Sequence, residues 1–160
     1  MSMRSVLVGT VAGAVGTIAL DVATYADMAL RGRPSSDTPA TFVKNLAASA
    51  GIEPLAADDE TAKNRRSGVG ALLGYVNGLL VGAVYGAVRP ALRGRVPPVI
   101  TALAAGVAAM AISDVPLVKS GATDPKTWGT EGWLADIVPH VVYGLVLALA
   151  FDALDESGSA

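Results

Sequence analysis

Cysteine is absent from the chain, which removes disulfides, thiolate metal sites and thiol nucleophiles from its chemistry. Charge is scarce: Asp, Glu, Lys and Arg make up 16% of the 160 residues, the net charge is -2, and there is no long basic run. That balance leaves no electrostatic footprint for nucleic acid, which is not an expected partner. Aromatic residues amount to 5%, and His140 is the single histidine. Neither a phosphate loop, a dinucleotide fingerprint nor a haem-ligand pair occurs, so no cofactor is implied, and no His-x-x-Glu pair or comparable spacing marks a metal site. What fills the sequence instead is apolar: 52% of positions are hydrophobic and 18 are glycine. Such a chain has the lipid bilayer as its first partner and reads as one membrane-embedded domain spanning residues 1–160.

The stretch Ser67 to Arg89 carries Gly70, Gly74, Gly78, Gly82 and Gly86 at a strict four-residue interval, a glycine zipper. In water each glycine costs a helix about 1 kcal/mol relative to alanine. A bilayer reverses that disadvantage, because it leaves the backbone no partner but the helix ladder and lets glycine admit a second helix at close range. The stripe drifts by ~40° per step and wraps around the helix. It predicts a helix against which the other spans pack.

Four apolar stretches are long enough to cross a bilayer core of ~30 Å: approximately residues 5–30, 67–89, 97–118 and 132–154. Arg4 and the apolar run after it imitate a signal peptide, with Ala12-Gly13-Ala14 as a cleavage site, but apolar character continues to about Leu30 and predicts an uncleaved first span. Between spans one and two, Asp37-Thr38-Pro39 supplies a helix start with a capping oxygen. A short interfacial helix over about 38–50 follows, with Phe42, Val43, Leu46, Ala47 and Ala50 on its apolar face, Lys44 and Asn45 opposite, and Gly51 as its stop. Asp58-Asp59-Glu60 and Arg65-Arg66 read as a solvated loop, Pro116 as a break or kink near the end of span three, and Trp128 and Trp133 as headgroup-level anchors. The fold class is therefore all-α, a four-helix transmembrane bundle with one interfacial helix.

Polar residues inside the spans carry the chemistry. Thr10, Thr17, Asp21 and Thr24 share a stripe of span one; the threonines are expected to bond back to carbonyls one turn earlier. Asn77 stands beside the zipper as interhelical glue. Counting residues from the helix ends places Asp21, Asp114, Asp136 and His140 toward one side of the membrane, at depths of about 5 to 14 Å from that surface at ~1.5 Å per residue. An intramembrane aspartate or histidine costs several kcal/mol unless paired, so the cluster suggests a proton or cation site in which Asp136 orients the His140 imidazole. The competing expectation is a satisfied polar network that only fixes helix order, with Asp136 capping span four. Ser113, His140 and Asp136 lack the elbow motif and spacing of a hydrolytic triad, and an enzyme is not expected.

A weak internal echo accompanies these features: Ala12-Gly13 precedes Asp21 as Ala105-Gly106 precedes Asp114, and Val84-Tyr85-Gly86 recurs as Val142-Tyr143-Gly144. Loops one and three carry eight Lys/Arg against four elsewhere, which favours them as cytoplasmic, while the second loop, with three arginines and no acid, argues the other way. The acidic tail from Asp152 to Ala160 suits either side.

The stretch VITALAAGVAAMAISDVPLV followed by DPKTWGTEGWLADIVPHVVYGLVLALAFDAL is similar to the end of the YagU-type inner-membrane proteins, and RGRPSSDTPATFVKN resembles their proline-rich segment after span one. By this resemblance His140 matches the family's span-four histidine, while Asp114 stands where some relatives carry another polar residue. The resemblance implies a multi-pass protein of the plasma (inner) membrane with no established activity. Two functions follow as expectations: a small proton- or cation-conducting transport component built on Asp21, Asn77, Asp114, Asp136 and His140, or a structural subunit that uses its glycine-lined surface to self-associate or join a membrane-protein partner.

Overall fold

The computed structural model describes residues 2–157; the end of the acidic tail, residues 158–160, lies outside them. Helices α1 (Met3–Arg31), α2 (Thr38–Ser49), α3 (Glu53–Ala56), α4 (Glu60–Leu92), α5 (Pro98–Lys119) and α6 (Gly129–Ser157) follow in order, with a 3-10 turn over Pro125–Thr127. Among the described residues α1, α4, α5 and α6 are long and apolar enough to cross a membrane. Their outward surface is apolar, as lipid requires, with Leu7, Val22, Leu80, Val107 and Leu149 all exposed. This is the architecture of an α-helical multi-pass membrane protein.

Four of the five zipper glycines are in contact, but the helix at the centre is α1 and not α4. Helix α1 packs at length against both α4 and α6, whereas α5 leans mainly on α6 and only lightly on α4. The reason is that α1 has glycine on two faces. Gly9 and Gly13 lie on the backbone of Gly78, Gly82 and Gly86, while Gly16 seats the ring of Tyr143 from α6. A Cβ on Gly82 would fall 2.6 Å from Gly13 Cα, and one on Gly9 would fall 2.7 Å from Gly86 Cα. Gly70 is used differently, against Pro39 at the start of α2, and Gly74 meets nothing within 4 Å among the described residues.

The contact between α5 and α6 repeats that between α1 and α4. Gly82 faces the oxygen of Gly9 and the nitrogen of Gly13, and Gly144 faces the oxygen of Ala102 and the nitrogen of Gly106. Gly13 faces the oxygen of Gly78 as Gly106 faces that of His140. Gly144 is thus the counterpart of Gly82, one turn away from the Gly86 to which the sequence echo pairs it. In this register Asp114 matches Asp21, but Asp136 and His140 stand where α4 has Gly74 and Gly78.

Several local expectations are corrected. Helix α4 begins at Glu60, because the Asp59 carboxylate caps it by accepting from the Ala62 amide at 2.8 Å, so Arg65 and Arg66 are helical and not loop. Arg66 is buried and donates to the carbonyls of Leu55 and Ala57, which holds α3 against α4. Asp37 makes no side-chain cap; Ser36 Oγ accepts from the Thr38 amide instead. Helix α2 buries Val43 and Ala47 but leaves Leu46 exposed. Asn45, expected on the polar face, donates to the Ser120 carbonyl at 3.0 Å and ties α2 to the end of α5. Lys44 pairs with Asp58 and holds its carboxyl below the usual carboxylate range. Helix α5 continues past Pro116 to Lys119, and α6 starts at Gly129, which puts Asp136 well inside the helix and not at its cap. Thr10 and Thr17 do bond back, to the carbonyls of Val6 and Gly13.

The zipper positions are therefore not equivalent. Gly82→Ala should destabilise the bundle by about 1–3 kcal/mol, the usual cost of overpacking, whereas Gly74→Ala should leave stability unchanged or raise it. Thermal unfolding in detergent, followed by circular dichroism, measures both; equal effects at the two positions would refute the packing described.

Candidate functional site

At the α2 end of the bundle, α1, α4, α5 and α6 enclose an open cavity of about 1060 Å³. Asp21, Asn77, Asp114, Asp136 and His140 all line it. Its wall includes Gly74 and Gly78 of the zipper, and the chain entering α2, from Ser35 to Ala40, closes one side.

Three of the ionisable residues form one group. Asp114 of α5 lies near the Asp136 carboxyl on α6 and near His140, and all three line the same cavity. His140 Nδ1 is 2.8 Å from the Asp136 carbonyl oxygen and 3.3 Å from Asp136 Oδ1. Both neighbours of Nδ1 are acceptors, so Nδ1 carries the hydrogen and Nε2 is the acceptor of the neutral ring. Asp136 Oδ2 is buried and accepts no hydrogen bond among the described residues. The helix spacing of four residues produces the Asp136–His140 pair, and the Gly106 contact with the His140 carbonyl brings α5 close enough for Asp114 to join it.

Asp21 is held apart from that group, by the Tyr75 hydroxyl of α4 at 2.9 Å. Asn77 Nδ2 donates to the Ala109 carbonyl at 2.9 Å and links α4 to α5, while Asn77 Oδ1 is buried with no donor among the described residues. Beneath the cavity the Tyr143 hydroxyl donates to the Gly78 carbonyl at 2.7 Å. Ser113 Oγ donates back to the carbonyls of Ala109 and Met110, each at 3.0 Å, and so is committed to its own helix.

The mouth carries paired charges of both signs that no motif in the sequence marks. Asp27 receives Arg31 Nε at 2.6 Å and also pairs with Arg33, and Arg31 lies 3.8 Å from Glu131. Only the Asp27–Arg31 spacing of four residues could have signalled it. Trp128 lines the same mouth, donating to Thr123 Oγ1 at 2.7 Å and stacking at a tilt on Trp133, with ring centroids 4.9 Å apart. Among the described residues no group of three His, Cys, Asp or Glu side chains is arranged to hold a metal ion.

Comparison with protein families, with curated proteins and with solved structures finds no match. The class is set by the fold alone, an α-helical multi-pass membrane protein, and the functional reading rests on the cavity.

Because the chain has no cysteine, a single introduced thiol reports water access without background. Ser113→Cys, on the cavity wall, should react in intact membranes with a membrane-impermeant maleimide from one side only. Ile112→Cys, its neighbour on the exposed apolar face, should not. Equal labelling of the two would mean that the cavity is not a water-filled compartment.

Proposed function

We propose that this protein is a small proton- or cation-conducting transport component of the plasma (inner) membrane, with Asp114, Asp136 and His140 as its binding group. The observation that carries the reading is the buried Asp136 Oδ2, an acceptor with no donor among the described residues, on the wall of a cavity that Asp21, Asp114 and His140 also line. A buried carboxylate oxygen without a donor is costly, and a proton or a cation delivered through the cavity supplies what it lacks. Asn77 Oδ1 is a second such acceptor on the same wall. In this reading Asp114 and Asp136 hold the proton or cation between them. His140, fixed through Nδ1, exchanges a proton at Nε2, and Asp21 with Tyr75 sits along the path to the mouth. The likeness to YagU-type proteins supports the multi-pass inner-membrane placement and belongs to the same proposal.

The alternative, an assembly subunit that offers its glycine stripe to a partner, has less surface to work with. Gly78, Gly82 and Gly86 are occupied by α1, and Gly70 by Pro39, within the chain itself.

Reconstitution in liposomes tests the proposal. A pH or cation gradient should dissipate faster than in empty liposomes, and Asp114→Asn, Asp136→Asn and His140→Ala should each slow that flux at least tenfold, with the lipid-facing Leu149→Ala as the unaffected control. Flux no greater than in empty liposomes, or flux indifferent to all three substitutions, would end this reading.

A further inference from the structure

The cavity is far larger than a proton or an inorganic ion requires. Its volume of about 1060 Å³ is that of a site for a small organic molecule, roughly 300–1,000 Å³. One water takes up ~30 Å³, so even a hydrated metal cation would fill little of it. Its charge is also one-sided. The lining holds five carboxylates, Asp21, Asp37, Asp114, Glu131 and Asp136, against two guanidiniums, Arg31 and Arg33. Both guanidiniums are already engaged: each pairs with Asp27, and Arg31 also lies 3.8 Å from Glu131. A negative field in a walled space concentrates cations and repels anions.

Two of those carboxylates keep oxygens open to the cavity. Asp114 is half-buried, and among the described residues no N–H or hydroxyl donates to it. Unlike Asp136 Oδ2, its oxygens are not enclosed. Asp21 spends Oδ2 on the Tyr75 hydroxyl and keeps Oδ1 open. The same cavity is also lined by Leu20, Tyr25 and Met28 of α1, Leu117 of α5, and Trp128. Walls of that kind gain nothing from a hydrated metal ion. They do cover a hydrocarbon body, and their aromatic faces attract an organic cation.

We infer that the cavity binds an organic ammonium ion, a protonated amine on an apolar or aromatic body, with its N–H donors on the Asp114 carboxylate. The body lies against Leu117, one helical turn further along α5, and against the aromatic wall. An ammonium group brings three donors and a positive charge to acceptors that have neither, and charge-assisted hydrogen bonds of this kind are the strong ones. Resting on the transport reading, this names the cargo of the same site. Binding is nevertheless measured without a gradient: flux can fail while binding holds, and binding can fail while proton flux holds.

Tryptophan fluorescence of the purified full chain in detergent tests the inference, because Trp128 and Trp133 are its two tryptophans and Trp128 lines the cavity. Phenethylammonium should change that fluorescence saturably. Phenethyl alcohol, the neutral counterpart, and phenylacetate, the anionic one, should bind roughly tenfold more weakly or worse, the worth of one charge-assisted hydrogen bond. Potassium in tenfold excess should not displace the amine. Asp114→Asn should weaken phenethylammonium by about the same factor, and the lipid-facing Leu149→Ala should not. A second variant, Ser113→Phe, adds a ring to the cavity wall and leaves every charge in place. It should lose phenethylammonium while unfolding at the parent's temperature. No saturable response to phenethylammonium, an equal response to the alcohol or the acid, displacement by potassium, or binding unchanged in both Asp114→Asn and Ser113→Phe would each overturn the inference.

Discussion

The contact on which the structure depends is the direct approach of backbone to backbone between α1 and α4, where glycine faces glycine at Gly9, Gly13, Gly82 and Gly86. In lipid there is no hydrophobic gain from burying apolar side chains, so helices associate through packing and weak backbone contacts, and both grow as the axes come closer. Glycine on one helix alone would leave room for a side chain from the other. Glycine on both lets carbonyl oxygens of one helix touch the Cα atoms of its neighbour. The same atoms meet again at Gly106 and Gly144 in the second hairpin, so one contact, used twice, builds both halves of the bundle.

That repetition explains where the polar residues collect. The glycine contacts lie between two polar ends of the bundle, and the two ends have taken opposite chemistry. One opens into the cavity of Asp21, Asn77, Asp114, Asp136 and His140, rich in acceptors without donors. The other gathers Arg4, Arg89 and Arg93 around Asp152 and Asp155, with donors left over. The halves are alike in backbone but not in side chain. Where α4 keeps Gly74 and Gly78, α6 has Asp136 and His140, so the titratable group belongs to the second half and the empty space beside it to the first.

Much of this arrangement was legible in the sequence, and the parts that were not have physical reasons. A fixed rise per residue is enough to bring Asp114, Asp136 and His140 to one level, because depth along a straight helix needs no knowledge of its neighbours. Lateral neighbours need exactly that knowledge, so the Tyr75 partner of Asp21 and the separation of Asp21 from the other three could not be read. The zipper announced close packing, yet its ~40° drift per step turns Gly70 and Gly74 away from the helix that Gly78, Gly82 and Gly86 touch. The polar start of α4 looked like a loop because its charges suit water, although Asp59 was present as a cap. The cluster of Arg89 with Asp152 joins residues far apart in the chain, and nothing local marks it.

In the proposed function, the glycine contacts hold Asp114 and Asp136 together as a group that exchanges protons or cations with the cavity. Infrared difference spectroscopy of the reconstituted protein across a pH jump observes carboxyl protonation directly. The parent protein should show a carboxyl signal that Asp114→Asn removes or displaces and that Asp21→Asn, at the carboxylate bonded to Tyr75, leaves in place. A difference spectrum that is the same in the parent and in Asp114→Asn would contradict it.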